Sequence, residues 1–328
     1  MPNLKSVLNK LNKSRKEEDK IKFASEQPED YFIRKTTSTG SPVLDGVTGG
    51  GYAKGAFNLI VADGGTGKSS LALKAIKEEY DETGRIGVYY DGEGTLDESY
   101  MERMGVTKDM LVYIKDRNLE DMLDTVEAFS TAEEVGVIVL DSIPIFVSSV
   151  VENKSAADNN MAVEARKYTA RMPIIEGNCT RRDITLIGLT SYKLDPGAMG
   201  DPRKLPRGQW QYTMANLILE LTKKDILKNS NGHEIGHALD CRIKKSKLAS
   251  YNKSTAFRVN FYYDYGFNKY DEYTTIFISE SIIKQGGAWF TFANADGEEI
   301  KLNGKNAVIT YLKENEDTFN ALMDRWDE

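Results

Sequence analysis

The segment Val61-Ala-Asp-Gly-Gly-Thr-Gly-Lys-Ser-Ser70 constrains the fold of this chain more than any other. An apolar run, AFNLIVA (56–62), precedes it, and a helical pattern, GKSSLALKAIKEEYDETG, follows it and ends at Gly84. Strand, glycine-rich loop and helix in that order aim a row of backbone N–H groups at one point, at a helix N-terminus whose dipole favours an anion. The loop closes on Gly67-Lys68-Ser69, the end of the pattern G-x-x-x-x-G-K-[ST]. There the lysine neutralises the terminal phosphates and the hydroxyl ligates Mg²⁺. Asp63, Gly64, Gly65, Thr66, Gly67, Lys68, Ser69 and Ser70 are therefore the expected nucleotide-binding residues, with ATP and Mg²⁺ as the expected cofactors. Ala62 stands where the pattern has its first glycine, and its methyl is the least possible addition at a position that needs no positive φ.

Four further apolar runs share the character of the first: IGVYYD (86–91), VGVIVLD (135–141), ITLIGLT (184–190) and NLILELT (216–222). They are short, branched and not alternating, the pattern of parallel strands covered on both faces by helices. An α/β fold with a mainly parallel sheet follows. After about residue 265 the pattern breaks into a smaller α+β segment. Residues 1–33 stand apart: Leu4, Val7, Leu8 and Leu11 make one apolar stripe on a helix too short to be stable alone. That helix needs a surface, either on its own core or on a neighbouring subunit.

Carboxylates at strand ends supply the remaining chemistry. Asp141 closes VGVIVLD, where a second contact to the metal belongs. Glu93 follows IGVYYD in a glycine-rich turn; it suits a base that activates water, and equally a solvated turn residue. The net charge of −7 argues against coating duplex DNA by overall charge but leaves local basic loops free to act. Two cysteines, Cys179 and Cys241, fit a reducing cytoplasm, and no run resembles a signal peptide or a membrane span. His233 and His237 in HEIGH match a zinc-protease pattern formally, but Asn, Ser and Gly before them and Gly236 within suggest a hairpin loop instead.

Taken in order, TTSTGSPVLDGVTGGGYAKGAFNLIVADGGTGKSS, GVYYDGEGTLDESYMERMGV, VIVLDSIPIF, KKSKLAS and GGAWFTF resemble the RecA family of DNA recombinases, bacterial and phage-encoded, over residues 37 to 315. The resemblance implies a RecA-type P-loop ATPase core over 34–264, a polymerisation arm at 1–33 and a small C-terminal domain at 265–328. It matches Lys68 and Ser69 to the phosphate and Mg²⁺ residues, Glu93 to the catalytic glutamate, Asp141 to the metal-side carboxylate, and Asp97 and Tyr100 to residues near adenine. Lys245 and Lys247 match a pair reaching the neighbour's ATP.

The DNA loops implied are residues 150–166 and 192–212. Met161, Arg166 and Gly208 match DNA-loop positions. Lys193, Arg203, Lys204 and Arg207, interleaved with Tyr192, Trp210 and Tyr212, have the make-up of a single-strand binder without sequence preference; the alternative is a solvated surface loop. Ser191 stands where the family has a glutamine that senses the γ-phosphate, and the long acidic tail of some bacterial members is not seen. The implied function is an ATP-dependent recombinase forming helical filaments on single-stranded DNA and exchanging strands with homologous double-stranded DNA. Single-strand-binding and loader proteins would be further partners. It would work in a bacterial cytoplasm, cell- or phage-encoded, without membrane contact. The competing readings are a hexameric helicase or motor ATPase of the same fold and a weakly hydrolysing DNA-binding mediator.

Overall fold

The computed structural model describes residues 4–16, 20–152, 161–195, 197, 202–229, 231–251 and 255–327. They fall into two compact units, residues 1–35 and 36–328. The first holds α1 (Leu4–Asn12) and two short 3-10 turns. No residue of α1 is buried, and Leu4, Val7 and Leu11 of the apolar stripe are exposed. The Asn12 side chain closes the following loop by donating to the Ile21 carbonyl and accepting its N–H, both at 2.9 Å.

In the second unit β1 (Thr36–Thr37) and β2 (Tyr52–Ala53) flank α2 (Pro42–Thr48). Then come β3 (Phe57–Ala62), α3 (Lys68–Thr83), β4 (Ile86–Asp91), α4 (Glu98–Arg103), β5 (Leu111–Lys115), α5 (Leu119–Phe129) and β6 (Val135–Asp141). The short α6 (Ser149–Glu152) and long α7 (Met161–Arg182) lead to β7 (Thr185–Thr190), β8 (Lys193–Leu194), β9 (Arg203–Lys204) and α8 (Trp210–Met214). A long hairpin, β10 (Leu217–Lys228) and β11 (Glu234–Ser246), is followed by β12 (Phe257–Tyr262), β13 (Gly266–Phe267) and α9 (Lys269–Ser279). The chain ends with β14 (Lys284–Gly286), β15 (Trp289–Ala293), β16 (Glu299–Asn303), α10 (Lys305–Glu314) and α11 (Glu316–Asp327).

The central sheet has nine strands in the order β13-β12-β11-β10-β3-β7-β6-β4-β5. From β10 to β5 every neighbour is parallel, while β11, β12 and β13 extend the sheet antiparallel. Period-two alternation sorts the apolar runs onto two faces. Ile60, Tyr89, Val137, Val139, Ile187 and Leu189 pack with Leu71, Leu73 and Ile76 of α3 on one side. Phe57, Leu59, Val88, Ile138 and Leu140 pack with Leu123 of α5 and Met172 of α7 on the other. Both faces are dry, so the strands read as continuous hydrophobic runs. Because β3, β4, β6 and β7 run in parallel, Ala62, Asp91, Asp141 and Thr190 all end at the same edge of the sheet. That edge is where ligands bind in open α/β folds.

The C-terminal segment has its own core around Phe277, Phe290, Phe292, Leu312 and Phe319, beside an antiparallel sheet of β14, β15 and β16. It shares one compact unit with the nine-stranded sheet. Helix α9 ties the two together: Glu272 accepts from the Ser41 hydroxyl at 2.6 Å and from the Val43 N–H at 3.1 Å, at the N-terminus of α2.

Of HEIGH, expected in a hairpin loop, only His233 lies in the turn. The Asn229 N–H donates to the His233 carbonyl at 2.9 Å, and Glu234 to His237 lie on β11. His237 is buried, its ring against Phe261 and Tyr263. His233 precedes the strand and His237 lies within it, so the helical face that would bring two histidines four apart onto one metal does not form. Among the described residues no cluster of His, Cys, Asp and Glu could hold a metal ion by itself.

Candidate functional site: a nucleotide cleft and a basic ribbon

The phosphate loop occupies the turn between β3 and α3 at that common edge. Ala62 is the last residue of β3 and is buried in the core, so the missing glycine leaves the loop intact. Gly67, with φ of 95°, is the N-cap of α3 and places the loop's N–H groups at the start of a long helix. A Cβ added at Gly64 or Gly65 would meet nothing within 4 Å, so the loop's outer surface is open to a ligand. Thr66 turns inward, its hydroxyl on the Asp63 carbonyl at 2.7 Å, and Lys68 Nζ donates to the same carbonyl at 3.2 Å.

A cleft of about 300 Å³ opens beside the loop. It is lined by Gly64, Gly65, Gly67, Lys68, Ser69, Glu93, Asp97, Tyr100 and Asp141, as the sequence suggests, and also by Tyr89, Thr95 and Leu96, which it did not single out. Asp63, Thr66, Ser70, Ser191, Lys245 and Lys247 do not line it. Ser70 supports it from behind through a hydroxyl contact to Tyr100. Asp97 caps α4, its Oδ1 accepting the Tyr100 N–H at 2.8 Å, which fixes both residues at the mouth.

Ser69 and Asp141 meet directly: the Ser69 hydroxyl donates to Asp141 Oδ2 at 2.7 Å. Tyr89 donates to the same oxygen at 2.5 Å. Burial pushes the Asp141 carboxyl up; the Tyr89 and Ser69 hydroxyls oppose this, and Glu93 and Asp91 add to it. A hydroxyl beside a carboxylate, with two more carboxylates nearby, is an oxygen donor set that suits a hard divalent cation. Ser69 and Asp141 would hold Mg²⁺, which supplies neutralising charge to the phosphates when bound.

Glu93 is exposed just after β4, and Ser142 donates to its Oε1 at 3.1 Å. The loop carrying it is fastened by buried Asp91, whose carboxylate accepts the N–H groups of Gly94 at 2.6 Å and Leu96 at 3.1 Å and the Tyr113 hydroxyl at 2.9 Å.

Of residues 150–166, the first loop implied by the resemblance, residues 153–160 and the Met161 side chain lie outside the described residues, and Arg166 is exposed on α7. In the second, β8 and β9 pair as a small ribbon with Lys193 opposite Lys204 and Leu194 opposite Arg203. Lys193 and Lys204 are exposed, Lys204 in an ion pair with Asp195 at 2.5 Å. Arg203 lies over the Tyr192 ring at 5.0 Å and bonds Glu220 at 3.3 Å.

Two residues assigned to this surface are placed elsewhere. Arg207 is paired with the buried Glu164 and donates to the Pro144 carbonyl at 2.8 Å, so its charge is already neutralised. Trp210 is 6% exposed, stacked on Tyr168 at 4.8 Å and against Phe57 at 5.4 Å, so neither ring face is free for a base. Gly208, at φ of 101°, packs under Ala165 and links the second loop to α7. Lys245 donates to the Tyr212 and Thr213 carbonyls at the end of α8, and Lys247 is exposed.

The RecA N-terminal domain family matches residues 3–268. The chain is similar to Protein RecA of Mycoplasma mycoides subsp. mycoides SC, 27% identical over 291 residues that cover 88% of this chain and 82% of that protein. It is similar also to Protein RecA of Staphylococcus aureus, 29% identical over 283 residues, 85% of this chain and 79% of that protein. The crystal structure of the RadB recombinase superimposes with a TM-score of 0.50 at 16% identity, covering 69% of this chain and 95% of that one, a likeness of fold. With the family match spanning most of the chain, and with Lys68, Ser69, Glu93 and Asp141 gathered in one cleft, the chain belongs to the RecA family and is a RecA-type recombinase working with ATP and Mg²⁺.

Proposed function

We propose that this chain polymerises into a helical filament on single-stranded DNA and pairs that strand with homologous duplex, exchanging strands. The observation that carries the reading is the cleft itself: Lys68, Ser69, Asp141 and Glu93 converge at one sheet edge, and β7 runs from that same edge into the basic ribbon of Lys193, Arg203 and Lys204. Lys68 neutralises phosphate charge. Glu93, steadied by Ser142 on one carboxylate oxygen, accepts the proton of the attacking water on the other. Lys193, Lys204 and Arg203 contact DNA phosphates, and Arg166 joins them from the first loop. Bases are left free for pairing, so sequence is read by the nucleic acid and not by the protein.

Assembly uses residues 1–33 as an arm whose exposed stripe docks on the next subunit, and Lys245 and Lys247 face the ATP of that neighbour. ATP then favours assembly, and hydrolysis releases it. Single-strand-binding and loader proteins are partners in this reading, and the compartment is the bacterial cytoplasm, with the gene cellular or phage-borne. The test is negative-stain microscopy of the protein with single-stranded DNA and a slowly hydrolysed ATP analogue, alongside a strand-exchange assay. Helical filaments with exchange are expected; closed rings that unwind duplex without pairing would overturn the proposal.

A further inference from the structure

Ser191 is too short to replace the glutamine that the family places at that position, which raises the question of how DNA binding reaches the hydrolytic residue here. The structure offers a second connection, on the other side of the cleft. Arg117 follows β5 and grips the backbone of the Glu93 loop: Nε donates to the Gly92 carbonyl at 2.8 Å and Nη2 to the Glu93 carbonyl at 3.3 Å. Gly92 is held in turn by the Asp141 carbonyl, at 2.6 Å. The guanidinium is a planar fork of several donors, so it holds the orientation of two successive peptides where a single donor would hold one.

The backbone of Arg117 leads elsewhere. Its carbonyl accepts the Val147 N–H at 2.9 Å, and the Val147 carbonyl accepts the Leu119 N–H at 3.0 Å, so residue 147 is bonded on both sides to the 117–119 segment. The next residues, Ser148 and Ser149, lead into the first DNA loop and are fastened by one carboxylate, Glu120. The Ser148 hydroxyl donates to it at 2.7 Å, the Ser149 N–H at 3.2 Å and the Ser149 hydroxyl at 3.3 Å. Lys167 of α7, just past the other end of that loop, pairs with the same carboxylate. Both ends of the first DNA loop thus converge on Glu120, three residues from the arginine that grips the Glu93 backbone.

We propose that Arg117 is a positioning residue for Glu93, and that residues 117–120 carry the state of the first DNA loop to the water-activating carboxylate. A shift of Ser148 and Lys167 on DNA binding moves Glu120, residue 117 moves with it, and the guanidinium resets the peptides on either side of Glu93. The inference rests on the reading that residues 150–166 contact DNA.

The test compares Arg117→Ala, Arg117→Lys, Glu120→Ala and the Arg117→Ala/Glu120→Ala double variant with the parent full-length chain. The readouts are hydrolysis with and without oligo-dT, oligo-dT affinity, and affinity for a fluorescent ATP analogue. The ratio of stimulated to unstimulated rate should fall about tenfold in either alanine variant and less in Arg117→Lys. Analogue affinity should stay within about twofold. The double variant should be no worse than the poorer single one, because both interrupt one connection; independent structural damage would multiply. An unchanged ratio in Arg117→Ala, or losses that multiply, would overturn the proposal. A parent chain whose hydrolysis ignores oligo-dT would count instead against the DNA-binding reading, and the analogue affinities tell the two failures apart from misfolding.

Discussion

Replacing Trp210 by alanine separates two roles that the sequence alone could not. As a base-stacking ring it would leave the fold untouched and weaken single-strand binding by ~1–3 kcal/mol. As observed, it is 6% exposed, with one face on Tyr168 and the other side against Phe57, and its indole N–H has no hydrogen-bond partner to lose. A side chain of this kind buries ~150–250 Å². At ~25 cal/mol per Å² that is roughly 4–6 kcal/mol of transfer free energy as an upper bound. Truncations of large aromatic side chains in cores cost ~3–5 kcal/mol. The expected loss is therefore about 4 kcal/mol, and a fall in melting temperature of roughly 10 °C follows for a unit of this size. The assay is a urea titration followed by circular dichroism, with fluorescence anisotropy of a labelled oligonucleotide measured well below the transition. Trp210→Phe should lose less than half as much stability, because the stack on Tyr168 survives. Both variants, where folded, should bind DNA like the parent. Unchanged stability together with an affinity loss of ~1–3 kcal/mol would refute the core assignment and return the ring to the DNA surface.

Lys68→Ala should abolish hydrolysis, whereas Glu93→Gln should keep nucleotide binding, lose turnover and give longer-lived filaments; prompt disassembly of the second variant on ATP addition would count against Glu93. Lys193→Ala/Arg203→Ala/Lys204→Ala should make the slope of log affinity against log salt shallower by up to ~0.7 for each phosphate no longer neutralised, while Arg207→Ala, whose side chain is largely covered and paired with buried Glu164, unlike the more exposed Arg203 and Lys204, should leave the slope unchanged. Burial pushes the Glu272 carboxyl up to about 7 from an ordinary 4.5, against the pull of Ser41 and Val43 and with a further push from Asp271 and Asp45. The folded state then holds the proton more tightly than the unfolded chain, so this group's contribution to stability falls as pH rises through that window, by roughly 3 kcal/mol at most. Glu272→Gln should remove that dependence and be more stable than the parent at pH 8 but not at pH 4; a parallel shift at both pH values in chemical denaturation would exclude it. Deleting residues 1–15 should shorten filaments in electron micrographs while leaving the melting temperature of the remaining chain unchanged.

The phosphate loop, the five buried strand runs and the two strand-end carboxylates are legible without a structure, because each is a property of consecutive residues. A glycine-rich turn between strand and helix, or an acid after a run of apolar residues, needs no distant partner to be recognised. Only the fold settles the roles that depend on partners far along the chain. Tyr89 reads as one more residue of a buried strand; the parallel register of β4 beside β6 is what brings its hydroxyl onto Asp141. Arg207 and Trp210 read as part of a basic, aromatic loop, but Glu164 neutralises the one and Tyr168 with Phe57 encloses the other. HEIGH reads as a metal motif or a loop until the strand on either side of it buries His237. A charge is free or paired, and a ring exposed or stacked, according to what the fold sets against it, and local sequence does not record that neighbour.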